Sequence, residues 1–206
     1  MGWVTLALMG IGAYLLGAVN FGLLIGRVLG VDVRKEGSGN PGATNVTRVL
    51  GILPGMAVLL LDGLKGFAAA YAGVQFFGSA FYGLILGLAA VAGHNWPLYA
   101  RFQGGKGVAT TIGLFFAVTP WLALASGLLT LLVIAVSRYV SMGSLAFILL
   151  MAILIPLTGG DWREELVVLL LAMLIFWRHR ANIARLLQGR ERRFGHSNDG
   201  KEEGDE

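Results

Sequence analysis

The chain has 206 residues, 56% of them hydrophobic and 14% charged, with a mean hydropathy of +0.72. A soluble domain of this size could not hide that much apolar surface, so the composition predicts an all-α integral membrane protein with small loops. The absence of cysteine excludes a disulfide framework, a thiolate nucleophile and a cysteine-held metal, and a net charge of +4 is too modest to predict a nucleic-acid partner.

Trp3 to Leu29 is the first apolar run, broken only by Asn20 and Arg27 near its end. It has no positive leader and is too long for a signal peptide, so it reads as a span. A polar loop follows, Gly37-Ser38-Gly39-Asn40-Pro41-Gly42-Ala43-Thr44-Asn45, flanked by Arg34, Lys35 and Arg48. Such a run presents backbone N–H groups and short polar side chains suited to an oxygen-rich anion, although its composition alone favours a plain interhelical loop. Leu50 to about Phe77 is the second run and carries Asp62 and Lys65, three apart and therefore on one helix face. Gly78 to Ala100 is the third, closing on Gly93-His94-Asn95-Trp96-Pro97.

A second compact polar stretch, Arg101 to Gly107, precedes an apolar segment from Val108 to Val136 with Pro120 near its middle. Val140 to Leu157 and Leu166 to Trp177 complete the apolar runs, and a basic segment from Arg178 leads to a charged tail over 194–206, expected to be disordered. Residues 1–193 read as a single transmembrane domain. If the 108–136 segment crosses twice, breaking at Thr119-Pro120, then Arg34, Lys35, Arg48, Arg101, Lys106, Arg138 and the basic tail share one side. The positive-inside rule then predicts seven transmembrane helices, with the N-terminus outside and the C-terminus cytoplasmic. It also puts the polar clusters at the cytoplasmic face, whereas a transporter more often keeps them at the midplane.

Gly104-Gly105-Lys106-Gly107 runs directly into the helix expected from Val108. Glycines allow close backbone approach, the helix N-terminus offers free N–H groups, and Lys106 adds a charge, an arrangement that suits a phosphate. It is not a Walker A loop, because no hydroxyl residue follows the lysine and no strand precedes it. A flexible turn with a snorkelling lysine fits the local sequence equally. His94 reads as an interfacial hydrogen-bonding residue, and Asn45-Val46-Thr47, a glycosylation sequon, is discounted at a cytoplasmic position. The basic run from Arg178 reads most simply as a lipid-binding flank, yet His179 and Asn182 share a helix face and can position a hydroxyl. No nucleophile elbow is present, and the three histidines lack metal-ligand spacing, so neither metal nor cofactor is expected.

Three stretches together resemble the bacterial acyl-phosphate glycerol-3-phosphate acyltransferases. They are Gly37 to Asn45 with Arg48 and Gly51; Gly93-His94 with Gly104 to Gly107; and His179-Asn182-Ile183 with Gly189 and Glu191. Asp62-x-x-Lys65-Gly66 is also similar. The resemblance implies a multi-pass enzyme of the bacterial inner membrane, active at its cytoplasmic face in phospholipid synthesis. Such an enzyme moves an acyl chain from acyl phosphate to the sn-1 hydroxyl of glycerol 3-phosphate, without acyl-CoA, acyl carrier protein or metal. It further implies catalytic roles for Ser38, Arg48, His179 and Asn182, with Arg34 second to Arg48. The phosphate loop would be Gly104, Gly105, Lys106 and Gly107, with Asn40, Thr44, Asn45, Arg34 and His94 as further substrate contacts. Glu191, Asp62 and Lys65 take structural roles, and the chain is expected to act as a monomer among membrane lipids. The competing class is a small carrier of anionic solutes, against which the absence of an evident internal repeat counts.

Overall fold

The computed structural model describes residues 2–195, all helix and loop; of the charged tail, residues 196–206 lie outside the described residues. The helices are α1 (Gly2–Ala18), α2 (Phe21–Val28), α3 (Ala43–Leu50), α4 (Ile52–Phe77), α5 (Ala80–Asn95), α6 (Val108–Val118), α7 (Pro120–Ser137), α8 (Val140–Leu157), α9 (Trp162–Arg178) and α10 (Arg180–Leu187). A single 3-10 turn, Leu98–Ala100, lies between α5 and α6.

The helices break where the sequence supplies stops and caps. Asn20 separates α1 from α2 and accepts the Leu23 N–H in its side chain, capping the second helix. Thr119-Pro120 separates α6 from α7, with proline at the first helical position, where its missing N–H costs nothing. Asp161 caps α9 by accepting the Arg163 N–H. The stretch expected to be all loop instead contains α3, an amphipathic two-turn helix with Asn45 and Val46 buried and Arg48 exposed.

The expected seven crossings are not found. Among the described residues, four helical spans are long and apolar enough to cross a membrane: Gly2–Val28, Ile52–Phe77, Pro120–Ser137 and Val140–Leu157. The count becomes five if α9 and α10, bent by 60° at His179, are taken as one span. At 1.5 Å per residue the 11-residue α6 is about 16 Å long, roughly half the hydrocarbon core. The 16-residue α5, about 24 Å long, is also short. Loop charges locate breaks in a chain but do not measure the helices between them. The inside and outside assignment of the termini rested on the count of seven and falls with it.

Glycines set how tightly the bundle closes. A Cβ on Gly66 of α4 would overlap the Thr110 carbonyl of α6, and one on Gly113 of α6 would overlap the Gly63 carbonyl of α4. The two backbones therefore touch, as small residues allow between helices in lipid. The main core lies among α5, α6, α8 and α9, with Leu84, Leu114, Phe115, Phe147, Met151 and Leu171 essentially inaccessible. This packing holds the N-terminal end of α6 against the junction of α9 and α10, where the polar residues gather.

Candidate active site

The three motifs meet at one end of the bundle. The first loop is braced from within: Asn45, 2% exposed, accepts the Ser38 N–H at 2.7 Å and donates to the Val33 and Glu36 carbonyls at 3.0 and 3.1 Å. Asn40 accepts the Gly42 N–H at 2.9 Å in a local turn, and Gly39 takes φ +71°, which glycine adopts without strain. The amide of Asn45, expected to touch substrate, is thus spent on loop structure. Ser38 and Asn40 remain at the surface of an open polar cleft of about 250 Å³, lined by Arg34, Ser38, Gly39, Asn40, Pro41, Gln103 and Gly104. Thr44 and Asn45 do not line it.

The two arginines in question occupy different places. Arg34 lines the cleft but forks onto Asp32, with Nε to Oδ1 at 3.0 Å and an outer nitrogen to Oδ2 at 3.1 Å. Arg48 projects from α3 without a hydrogen bond or ion pair among the described residues, within electrostatic reach of Glu191, Arg192 and Lys106.

That cluster joins the second and third motifs. Lys106 Nζ donates to Asn182 Oδ1 at 2.5 Å, and the Asn182 amide donates onward to Glu191 Oε1. Glu191 also accepts from Ser141 Oγ at 2.8 Å and from Arg185 Nε at 2.7 Å. Burial opposes ionisation of Glu191, but the hydrogen bonds from Asn182, Ser141 and Arg185 outweigh it and hold the carboxyl below its usual range. Lys106 is pushed down to about 8, chiefly by burial, with Glu191 working the other way and Arg185, Arg178 and Arg48 adding repulsion. His179, 2% exposed, sits at the bend between α9 and α10. Its Nδ1 lies 2.8 Å from the Ile175 carbonyl, an acceptor, so Nδ1 carries the proton and Nε2 is left to accept.

His94 supports the glycine loop from below. It is 3% exposed, its carbonyl accepts the Gly105 N–H at 3.1 Å, and a Cβ on residue 105 would overlap its Nε2. Lys65 Nζ lies 2.8 Å from Asp62 Oδ1 and donates to His94 Nδ1 at 2.9 Å and to the Val19 carbonyl at 2.8 Å. The buried pair therefore ties α4 to α5 and to the break between α1 and α2. Gly107 takes φ +82°, and a Cβ there would fall 2.8 Å from Asn95 Oδ1, whose fully buried amide has no hydrogen-bond partner among the described residues. Among the described residues, the backbone N–H groups of Lys106, Gly107 and Val108 have no acceptor.

A profile of the glycerol-3-phosphate acyltransferase family matches residues 7–189. The chain belongs to the glycerol-3-phosphate acyltransferase family. The acyltransferase from Halalkalibacterium halodurans is 44% identical over 202 residues, covering 95% of this chain and 96% of that one. The Aquifex aeolicus acyltransferase is 46% identical over 183 residues, covering 88% and 95%. The crystal structure of PlsY, an integral membrane glycerol 3-phosphate acyltransferase, superposes in its glycerol 3-phosphate form with a TM-score of 0.90 at 44% identity, covering 93% of this acyltransferase and 96% of that chain. Its lysophosphatidic acid form superposes with a TM-score of 0.87.

Motif reading did not find several residues of this acyltransferase site. Ser141 and Arg185 hold Glu191, Gln103 lines the cleft, and Arg178 donates to the carbonyls of Gly104 and Gly105 at 3.0 and 2.5 Å. Arg178 had been legible only as part of a basic flank.

Proposed function

We propose that this chain is an acyl-phosphate-dependent glycerol-3-phosphate 1-O-acyltransferase of the bacterial inner membrane, producing lysophosphatidic acid and inorganic phosphate. The observation that carries the reading is the junction of Lys106, Asn182 and Glu191 beside His179 and the free N–H groups of the glycine loop, in a chain matched along nearly its whole length to this family. Both substrates carry a phosphate. Two basic, glycine-rich surfaces meet at Gly104, one lined by Arg34 and Ser38 and the other centred on Lys106 and faced by Arg48.

Lys106 and the loop N–H groups, faced by Arg48, hold the phosphate of glycerol 3-phosphate; Ser38 and Asn40, with Arg34 beside them in the cleft, hold the phosphate and carbonyl of the donor. His179 Nε2 accepts the hydrogen bond of the attacking hydroxyl, and Asn182 keeps Lys106 in place. The hydroxyl oxygen bonds to the acyl carbon, the bond from that carbon to the phosphate oxygen breaks, and the hydroxyl proton ends on the released phosphate. A mixed anhydride has a good leaving group, so no covalent enzyme intermediate is needed. Proximity and orientation supply on the order of 7–11 kcal/mol in favourable cases.

The test is phosphate release from palmitoyl phosphate by purified protein in lipid. Release that requires glycerol 3-phosphate and yields lysophosphatidic acid supports the reading. Solute flux across vesicles without phosphate release would establish a carrier instead.

A further inference from the structure

Arg178 is the last residue of α9, and the proposed mechanism gives it no task. Its guanidinium lies 5.9 Å from the ring centroids of both Trp96 and Trp177, and one terminal nitrogen donates to the carbonyls of Gly104 and Gly105. In a trans peptide the C=O and the following N–H point in opposite directions. Pinning these two carbonyls toward Arg178 therefore turns the N–H groups of Gly105 and Lys106 away from it. The Gly105 N–H lands on the His94 carbonyl, whereas the Lys106 N–H stays unpartnered, beside those of Gly107 and Val108 at the positive end of α6. The carbonyl oxygens, which would repel a phosphate, are occupied on the far side.

We infer that Arg178 is a positioning residue for glycerol 3-phosphate: it acts through the glycine loop, holding the peptide planes so that the Lys106 N–H, with those of Gly107 and Val108, faces the substrate phosphate. This rests on the reading of that loop as the glycerol 3-phosphate site. A basic residue at a helix end beside two tryptophans otherwise reads as a lipid-headgroup anchor, but here the hydrogen bonds it makes go to the loop carbonyls, and its Nε is buried away from any headgroup. The second jaw of the clamp is His94, itself fixed by Lys65.

The experiment measures KM for both substrates in Arg178→Gln, Arg178→Lys and Lys106→Ala, each in nanodiscs of zwitterionic or of anionic lipid. Loss of charge-assisted bonds to two carbonyls raises KM for glycerol 3-phosphate by roughly tenfold or more in Arg178→Gln. KM for palmitoyl phosphate stays within about twofold and kcat within about threefold, as expected of an interaction made equally in ground and transition states. Arg178→Lys keeps the charge but not the planar fork between the rings, and it shows the same selective rise. Equal rises for both substrates, or a defect confined to Arg178→Gln and dependent on anionic lipid, would overturn the inference. If Lys106→Ala raises KM for glycerol 3-phosphate while both Arg178 variants leave it unchanged, the positioning role alone fails. If Lys106→Ala also leaves it unchanged, the loop is not that site and the underlying reading fails first.

Discussion

Lys106 and Asn182 lie 76 residues apart in the chain and meet at 2.5 Å, ammonium to amide oxygen. The contact locks the glycine loop before α6 onto α10, and the other end of the same amide is held by Glu191. A neutral acceptor steadies the lysine without cancelling its charge. Asn182→Asp would place a carboxylate there and compete with any substrate phosphate. It is expected to raise KM for glycerol 3-phosphate by roughly tenfold, since an ion pair replaces a hydrogen bond to a neutral acceptor. Asn182→Ala frees Lys106 and lowers kcat more than it raises KM. Steady-state kinetics on the two variants reads the difference.

The ionisation of Lys106 predicts the alkaline limb of activity. With its pKa pushed down to about 8, the side chain is charged below that pH and neutral above it. The kcat/KM for glycerol 3-phosphate reports the free enzyme, so it falls as pH rises through about 8. Lys106→Arg stays charged throughout, and its profile lacks that limb whatever its absolute rate.

Glu191 is a prediction about stability. Its carboxylate accepts from Ser141, Asn182 and Arg185, joining α8, α10 and the segment that follows α10. Glu191→Ala leaves these donors without their acceptor at a cost of about 2 kcal/mol, lowering Tm by roughly 5 °C. Because the folded pKa lies below the usual range, this contribution is present above the unfolded carboxyl pKa and is lost as pH falls through the folded one. Thermal unfolding of the wild type and Glu191→Ala should therefore converge in acid.

Two glycines separate close approach from mere small size. A Cβ on Gly105 would overlap the His94 ring, whereas one on Gly127 in α7 meets nothing within 4 Å. Gly105→Ala is expected to raise KM for glycerol 3-phosphate at least severalfold, because the loop must shift. Gly127→Ala should leave both KM and Tm unchanged.

The amino-acid pattern made some of this legible. Asp62 and Lys65 pair as their spacing predicts, and the break at Thr119-Pro120 falls where proline placed it. The convergence of Lys106 with Asn182 could not be read from spacing, because it depends on how the loop before α6 meets α10. It entered through resemblance alone. Asn45 was indistinguishable from Asn40 as a loop polar, yet one is buried in the loop's own framework and the other lines the cleft. Ala43 to Leu50 read as loop because its hydroxyls, and the glycines at 42 and 51 that flank it, are also what a short interfacial helix needs at its ends. The number of crossings failed for a geometric reason: breaks show in composition, but the 11-residue length of α6 matters only against the thickness of a bilayer.

The central claim is direct transfer between two held substrates, and rapid quenching tests it most directly. Enzyme in lipid is mixed with palmitoyl phosphate alone, and inorganic phosphate is measured over the first turnover. Direct transfer predicts no release until glycerol 3-phosphate is added, and then one lysophosphatidic acid per phosphate. A burst of phosphate equal to the enzyme concentration before the acceptor is present would reveal an acyl-enzyme and contradict the account.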